Sequence, residues 1–188
     1  MPKVSVCIPA YKQTEFLRKT LSSVLMQDFS DWELIISDDS ACDSVENLLG
    51  EFNFRTNLKY YRNNPSLGSP ANWNFALKQA SGEYLKILHH DDYFTSKNSL
   101  TQFVNLLDES PSSSFAFSGT LIDLLSLKTQ KIHSCSNRQF SKLKAAPDSL
   151  FFSNYIGAPS ATILRNKDFV LYDEKRLCLK QKHHNFFQ

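Results

Sequence analysis

The chain has 188 residues, 41% hydrophobic, 13% aromatic and 21% charged, which suffices for one domain with a proper core and is too apolar for a disordered segment. Lys and Arg number 21 against 19 Asp and Glu, a net charge of +2 that is too even for a surface built to hold the phosphates of DNA or RNA, so nucleic acid is not an expected partner.

Residues 4–8 are β-rich and close at Pro9, which cannot donate to a ladder, and Phe16, Leu17, Leu21, Val24 and Leu25 then recur at helical spacing. Residues 32–37 form a second apolar run, ending in the polar Asp38-Asp39-Ser40, and Asp43 is placed to cap a helix reaching about Phe54. A third strand is predicted over residues 58–62 and a turn-rich loop over 63–68. Ser69-Pro70 then reads as an N-cap with proline at the first helical position, and Trp73, Ala76, Leu77 and Ala80 make one apolar face before Gly82. Residues 84–88 read as the fourth strand, ending at His89-His90-Asp91-Asp92, and residues 100–107 as a helix. Beyond these, strands are expected at 115–118, 121–127 and 161–164, with a polar connection over 128–147. The βαβαβαβα order predicts a mainly parallel sheet covered by helices on both faces, whose ligands gather beyond the carboxyl ends of the strands.

Cys7, Cys42, Cys135 and Cys178 form no Cys-x-x-Cys pair, and a chain of this size needs no disulfide staples, so a reducing cytosol is expected. The N-terminal apolar stretch is too short for a signal sequence, and the longest uncharged run, residues 149–164, falls short of the roughly 20 apolar residues of a membrane helix. A cytoplasmic protein with at most peripheral membrane contact follows, the aromatic 149–164 run reading as core and last strand.

Two acidic pairs, Asp38-Asp39 after the second strand and Asp91-Asp92 after the fourth, project from one sheet edge and can share a cleft. Adjacent carboxylates repel, and a hard divalent metal is a natural companion for one pair. Mg²⁺ takes one or two protein carboxylates and completes its shell with substrate phosphates and water, a pattern that suits a nucleotide diphosphate; singly, each pair reads equally well as helix-capping and turn residues. No Gly-x-Gly-x-x-Gly or Gly-x-x-x-x-Gly-Lys motif follows any strand, so no glycine cradle holds the phosphates. Aromatic contact from Tyr11 and acceptance of a base N–H by Asp39 remain available to a nucleotide.

Val4-Ser5-Val6-Cys7-Ile8-Pro9-Ala10-Tyr11, Ser22-Ser23-Val24-Leu25-Met26-Gln27 and Trp32-Glu33-Leu34-Ile35-Ile36-Ser37-Asp38-Asp39-Ser40 together resemble the opening of a family 2 glycosyltransferase with the GT-A fold. Gly68, Asn74, Ala80-Ser81-Gly82-Glu83-Tyr84-Leu85 and Asp91-Asp92 continue the match, and Gly157-Ala158-Pro159-Ser160 with Arg165 resembles the later acceptor-side segment. The resemblance implies that Pro9, Tyr11 and Asp39 contact the base, Asp91 the ribose or sugar, and Asp92 a Mg²⁺ or Mn²⁺ ion on the diphosphate. It implies a UDP- or dTDP-sugar donor, a glycan or lipid-linked acceptor, inverting hexosyl or rhamnosyl transfer, and a place in bacterial-type surface polysaccharide or lipopolysaccharide synthesis at the inner face of the cytoplasmic membrane. His89 stands where the family carries a further acidic residue and His90 where it carries a small one; both read as structural or donor-contacting.

The inverting mechanism also implies a carboxylate base some residues beyond a Phe-Asp-Glu-like segment, here Tyr172-Asp173-Glu174. Residues 175–188 contain no Asp or Glu, and their four basic residues leave the first 174 residues at −2. Asp173 is the nearby stand-in for the base, and His183-His184 reads as a ligand pair, a membrane-facing pair or part of a solvated terminal segment. One domain over 1–188 is therefore expected, with a nucleotide-sugar-binding half at 1–95, an incomplete acceptor-side half at 96–174 and an atypical basic tail at 175–188. The resemblance describes a C-terminally truncated transferase, and the alternatives are a non-catalytic nucleotide-sugar-binding remnant and a purely structural α/β domain.

Overall fold

A computed structural model describes residues 1–54, 57–124, 129–133 and 158–174. The βα alternation forms β1 (Val4–Ala10), α1 (Thr14–Leu25), β2 (Trp32–Asp38), α2 (Ser44–Leu49), β3 (Leu58–Arg62), α3 (Ala71–Lys78), β4 (Tyr84–Ile87) and α4 (Ser99–Asp108). Short strands β5 (Phe115–Phe117), β6 (Thr120–Leu124), β7 (Thr129–His133) and β8 (Thr162–Arg165) follow. The main sheet runs β3-β2-β1-β4-β8-β5; the first four strands are parallel, and β8 is antiparallel to both its neighbours.

Strand alternation sorts the core into two layers. Val4, Val6 and Ile8 of β1 and Leu34 and Ile36 of β2 pack with Leu17 and Leu21 of α1, Val45 and Leu48 of α2, and Leu100 and Leu107 of α4. Cys7, Ile35, Leu85 and Ile87 face the other way and meet Ala76 and Leu77 of α3. Both faces of the central strands are therefore covered, which is why β1 and β2 are buried along their whole lengths.

The starts of these strands are held by one carboxylate. Glu33, 7% exposed, accepts hydrogen bonds from Ser5 Oγ at 2.6 Å, Ser81 N–H at 2.7 Å and Ser81 Oγ at 2.8 Å, and pairs with Lys59 Nζ at 2.6 Å. Burial alone would push its pKa up, but these donors outweigh it and hold the group down to about 2. Gly82 packs so closely here that a Cβ would lie 2.7 Å from Ser5 N and 2.9 Å from the Val4 carbonyl carbon. At the other side of the sheet, Arg165 donates to the carbonyls of Leu107 and Ser113 and to the Tyr84 hydroxyl, tying β8 to the end of α4.

Several elements depart from the sequence expectation. β1 runs through Pro9, whose register partner is Ser37. Odd-numbered residues of β1 direct their backbone groups at β4, as the Leu88 N–H to Cys7 carbonyl bond shows, and β4 ends at the level of Cys7, so nothing asks Pro9 for a donor. Pro70, with φ −95° and ψ 7°, occupies the cap position of α3 in place of Ser69, and its carbonyl accepts from Asn74 N–H. The helix after Asp43 ends at Leu49, and the Asp43 carboxylate pairs with Arg62 instead of capping it. Within the expected polar connection, Thr129–His133 is a strand that pairs antiparallel with β6. Most of the 149–164 run, the tail at 175–188 and His183-His184 lie outside the described residues. No helix among the described residues is long and apolar enough to cross a membrane.

Candidate functional site

The carboxyl edge of the parallel strands carries both acidic pairs, in two different states. Asp38, fully buried, accepts from Ser40 N–H at 2.8 Å and from the Tyr60 hydroxyl at 3.0 Å. Asp39, 4% exposed, accepts at Oδ1 from Asn63 Nδ2 (2.8 Å) and Leu67 N–H (3.1 Å) and at Oδ2 from Gly68 N–H (2.8 Å). The repulsion between these neighbours is met by protein donors. Gly68, at φ 73°, adopts the left-handed conformation that turns its N–H onto Asp39. Asp39 thus tethers the 63–68 loop, and Oδ2, with a single donor among the described residues, keeps a lone pair for a further N–H.

Asn63 and Asn72 extend this network: Asn63 Nδ2 lies 3.1 Å from Asn72 Oδ1, and Asn72 Nδ2 lies 3.4 Å from the Ala10 carbonyl at the end of β1. Pro9 is buried beside Ser37. Tyr11, 48% exposed, stands at the rim with Lys12 Nζ 5.0 Å from its ring centre. Lys12 and Gln13 both have positive φ, 53° and 41°, so the chain enters α1 through two left-handed non-glycine residues, held where Lys12 N–H meets Ser40 Oγ at 2.8 Å. An exposed ring beside a carboxylate with a spare lone pair is a surface that a planar base with an N–H donor fits.

Asp91 and Asp92 differ. They lie on the wall of a cavity of about 700 Å³ that also includes Lys19 of α1, Asp123 of β6, Phe103 of α4 and Ser160. Neither carboxylate takes a hydrogen bond among the described residues, although their loop is firmly held. Thr20 Oγ1 lies 2.7 Å from the Asp92 carbonyl and 2.9 Å from that of His90, within reach of its single proton. One turn on, Ser23 Oγ accepts from Phe94 N–H at 3.1 Å, and Gln27 bonds Leu100 N–H and the Ser96 carbonyl. Among the described residues no three His, Cys, Asp or Glu converge as a closed metal centre. One or two unengaged carboxylates facing an open cavity suit a hard cation such as Mg²⁺ or Mn²⁺, whose shell a bound phosphate completes.

His89 packs its ring edge-on to Trp73 (4.6 Å), which meets Tyr172 at 5.3 Å. Burial holds the His89 imidazole below its ordinary pKa, with the nearby carboxylates pulling the other way. His90 Nε2 is buried without a hydrogen-bond partner among the described residues. Asn74, 1% exposed, clamps the 172–174 segment: its amide bonds both backbone groups of Tyr172 at 2.9 Å and Glu174 Oε1 at 2.9 Å. Asp173, between these two anchors, is exposed. Pro9, Tyr11 and Asp39 thus gather at the ends of β1 and β2, Asp91 and Asp92 line the cavity beyond β4, and Asp173 follows the clamp on α3. Thr20, Asn63 and Asn72 are not singled out by the sequence; Thr20, a polar residue on the apolar face of α1, is the one that carries a signal.

The family model described as Glycosyl transferase family 2 matches residues 5–169. GalNAc(5)-diNAcBac-PP-undecaprenol beta-1,3-glucosyltransferase of Campylobacter jejuni is 37% identical over 98 residues, 51% of this chain and 32% of that protein. The crystal structure of S. aureus TarS 1-349 in complex with UDP superposes with a TM-score of 0.68 at 22% identity, over 92% of this chain and 51% of that one. The mannosyltransferase PcManGT from Pyrobaculum calidifontis, solved with GDP-Man and Mn2+, gives 0.56 at 22% identity over 62% of this chain and 35% of that one. The chain spans about half or less of the length of each of these proteins.

Proposed function

The chain belongs to glycosyl transferase family 2 and has its GT-A fold, and from that premise we propose that it binds a UDP- or dTDP-sugar at the carboxyl edge of β1, β2 and β4 and serves transfer of the sugar to a glycan or lipid-linked acceptor of bacterial-type cell-surface polysaccharide synthesis. The observation that carries this reading is the contrast between the two acidic pairs. Asp38 and Asp39 are engaged by protein donors, with a lone pair left on Asp39 Oδ2, whereas Asp91 and Asp92 stand on a loop held through the His90 and Asp92 carbonyls and leave their carboxylates open to a cavity large enough for a diphosphate and a sugar. In this reading Tyr11 and Pro9 flank the base, Asp39 Oδ2 accepts its N–H, Asp91 meets the ribose or sugar, and Asp92 holds Mg²⁺ or Mn²⁺. When bound, the cation supplies Lewis-acid stabilisation of the diphosphate leaving group.

Inversion requires the acceptor hydroxyl to lose its proton as its oxygen attacks the anomeric carbon, with the bond to the diphosphate breaking on the opposite side. Asp173 takes that proton in our proposal, as an exposed carboxylate in the segment that Asn74 anchors on either side of it. The UDP held in the S. aureus TarS structure and the PP-undecaprenol acceptor in the name of the Campylobacter relative support the donor and acceptor classes, and the GDP-Man and Mn2+ of the Pyrobaculum structure support the metal. A thermal-shift panel of UDP- and dTDP-sugars with Mn²⁺ or EDTA tests the reading, since a ligand bound only by the native state raises the melting temperature. A shift for at least one nucleotide sugar that EDTA diminishes is expected; no shift for any of them contradicts it.

A second reading is a donor-binding unit that turns over slowly by itself, favoured by the absence of Asp and Glu from residues 175–188. A positioned general base contributes roughly 10²- to 10⁴-fold in rate, so efficient transfer by the 188-residue chain, lost in Asp173→Asn, supports Asp173 as the base and refutes this second reading.

A further inference from the structure

Lys86 sits on β4, six residues before Asp92, with no exposure to solvent. Its Nζ donates to the carbonyls of Ser160 and Thr162, the latter at 3.0 Å, and lies 4.6 Å from the Phe103 ring centre and 5.6 Å from that of Phe94. Ser160 also accepts the His89 N–H at 3.1 Å, so the 159–161 turn is latched to β4 by both residues. Phe94, Phe103 and Ser160 all line the cavity that Asp91 and Asp92 face. Among the described residues Lys86 forms no ion pair, and the negative charge of Asp92 favours its ammonium. A buried ammonium in such surroundings is costly for the fold, since neither carbonyls nor ring faces replace its hydration in full. Burial pushes its pKa down to about 7, against the pull of Asp92.

Resting on the donor reading above, we propose that Lys86 is a positioning residue that couples the two occupants of the cavity, opposing a divalent cation at Asp92 on its own and favouring the cation together with an anionic diphosphate. The argument is one of sign. Lys86, behind the cavity wall that Phe94, Phe103 and Ser160 form, and Asp92, on that wall, carry opposite charges; a cation at Asp92 alone adds positive charge on the side of the ammonium across a poorly screened wall, and a diphosphate offsets it. The same ammonium fixes the 159–161 turn, so charge and cavity shape depend on one side chain.

Lys86→Met keeps the length and removes the charge, and Lys86→Gln keeps donors for the carbonyls; the two guard against a folding defect in either one, checked by circular dichroism. At about pH 6, Mn²⁺ alone is titrated by the relaxation of water protons, and UDP is titrated calorimetrically with Mn²⁺ in excess. Both variants are expected to bind Mn²⁺ alone about threefold or more tighter than the native chain and UDP about tenfold weaker. A purely structural strut moves both affinities down or neither, and either result overturns the coupling. If the native chain itself binds no UDP, the donor reading falls and takes this proposal with it; native binding with unchanged affinities in both variants overturns this proposal alone.

Discussion

Asp39→Asn separates the carboxylate's structural work from its proposed contact with a nucleotide base. The amide keeps one acceptor oxygen. Its better orientation preserves the Oδ1 bonds from Asn63 and Leu67 and turns an NH₂ onto the Gly68 N–H, donor against donor, where 2.8 Å now separates donor from acceptor. Losing one hydrogen bond to a charged group costs about 1.5–3 kcal/mol, and the two that remain weaken as their acceptor becomes neutral. A total of about 2–4 kcal/mol is expected. With a urea dependence of about 2 kcal/mol per molar, the unfolding midpoint falls by roughly 1–2 M. Asp39→Ala, which strands the Leu67 and Gly68 N–H groups, falls further. UDP affinity, measured where the variant is still folded, drops about tenfold with Mn²⁺ and with EDTA alike, because the amide presents a donor to the base N–H. A midpoint shift below about 0.3 M refutes the account of the loop tether, since three bonds to a buried carboxylate cannot be exchanged for an amide at so small a cost.

Gly82→Ala forces a methyl against backbone atoms of Val4 and Ser5, so β1 itself must move, and a loss of about 1–3 kcal/mol in urea unfolding is expected. Glu33 supplies an acid limb: its native pKa is held to about 2 against an ordinary 4.5, so below about pH 4.5 the unfolded chain binds the extra proton. Stability from this group is complete above that point and disappears as pH falls toward 2, and Glu33→Gln flattens this part of the urea-midpoint profile measured between pH 5 and 3. Thr20→Val removes the hydroxyl at the carbonyls of His90 and Asp92 while keeping the shape of the side chain, and calorimetry should show a threefold or greater loss of UDP affinity with Mn²⁺ and little change with EDTA.

The parts of this molecule that were legible in the sequence are those written as period. The apolar run at residues 32–37 and 3.6-residue spacing in α1 announce a parallel βα sheet, and its topology then puts Asp39 and Asp92 on one edge without further information. The parts that were missed are polar residues whose meaning lies in distant partners. Thr20 reads as an ordinary helical threonine until the loop 70 residues on returns to it, and Lys86 in Tyr-Leu-Lys-Ile reads as the outward side of a strand until Phe103 and Ser160 bury it. Asn63 and Asn72 read as turn and helix residues, and only the cross-links to Asp39 and Ala10 make them part of the site. Pro9 reads as a stop because strand chemistry forbids proline where a ladder continues; here the neighbouring strand ends at the level of Cys7, so β1 runs on through it.

The most direct test of the donor site is calorimetric titration of UDP into the native chain, Asp92→Ala and Asp39→Ala, each with Mn²⁺ and with EDTA. The account predicts that Mn²⁺ strengthens UDP binding to the native chain, that Asp92→Ala abolishes this gain while leaving the EDTA affinity nearly intact, and that Asp39→Ala weakens binding in both conditions. UDP binding that is the same in Mn²⁺ and EDTA, or a loss in Asp92→Ala equal in both conditions with the fold retained, contradicts it.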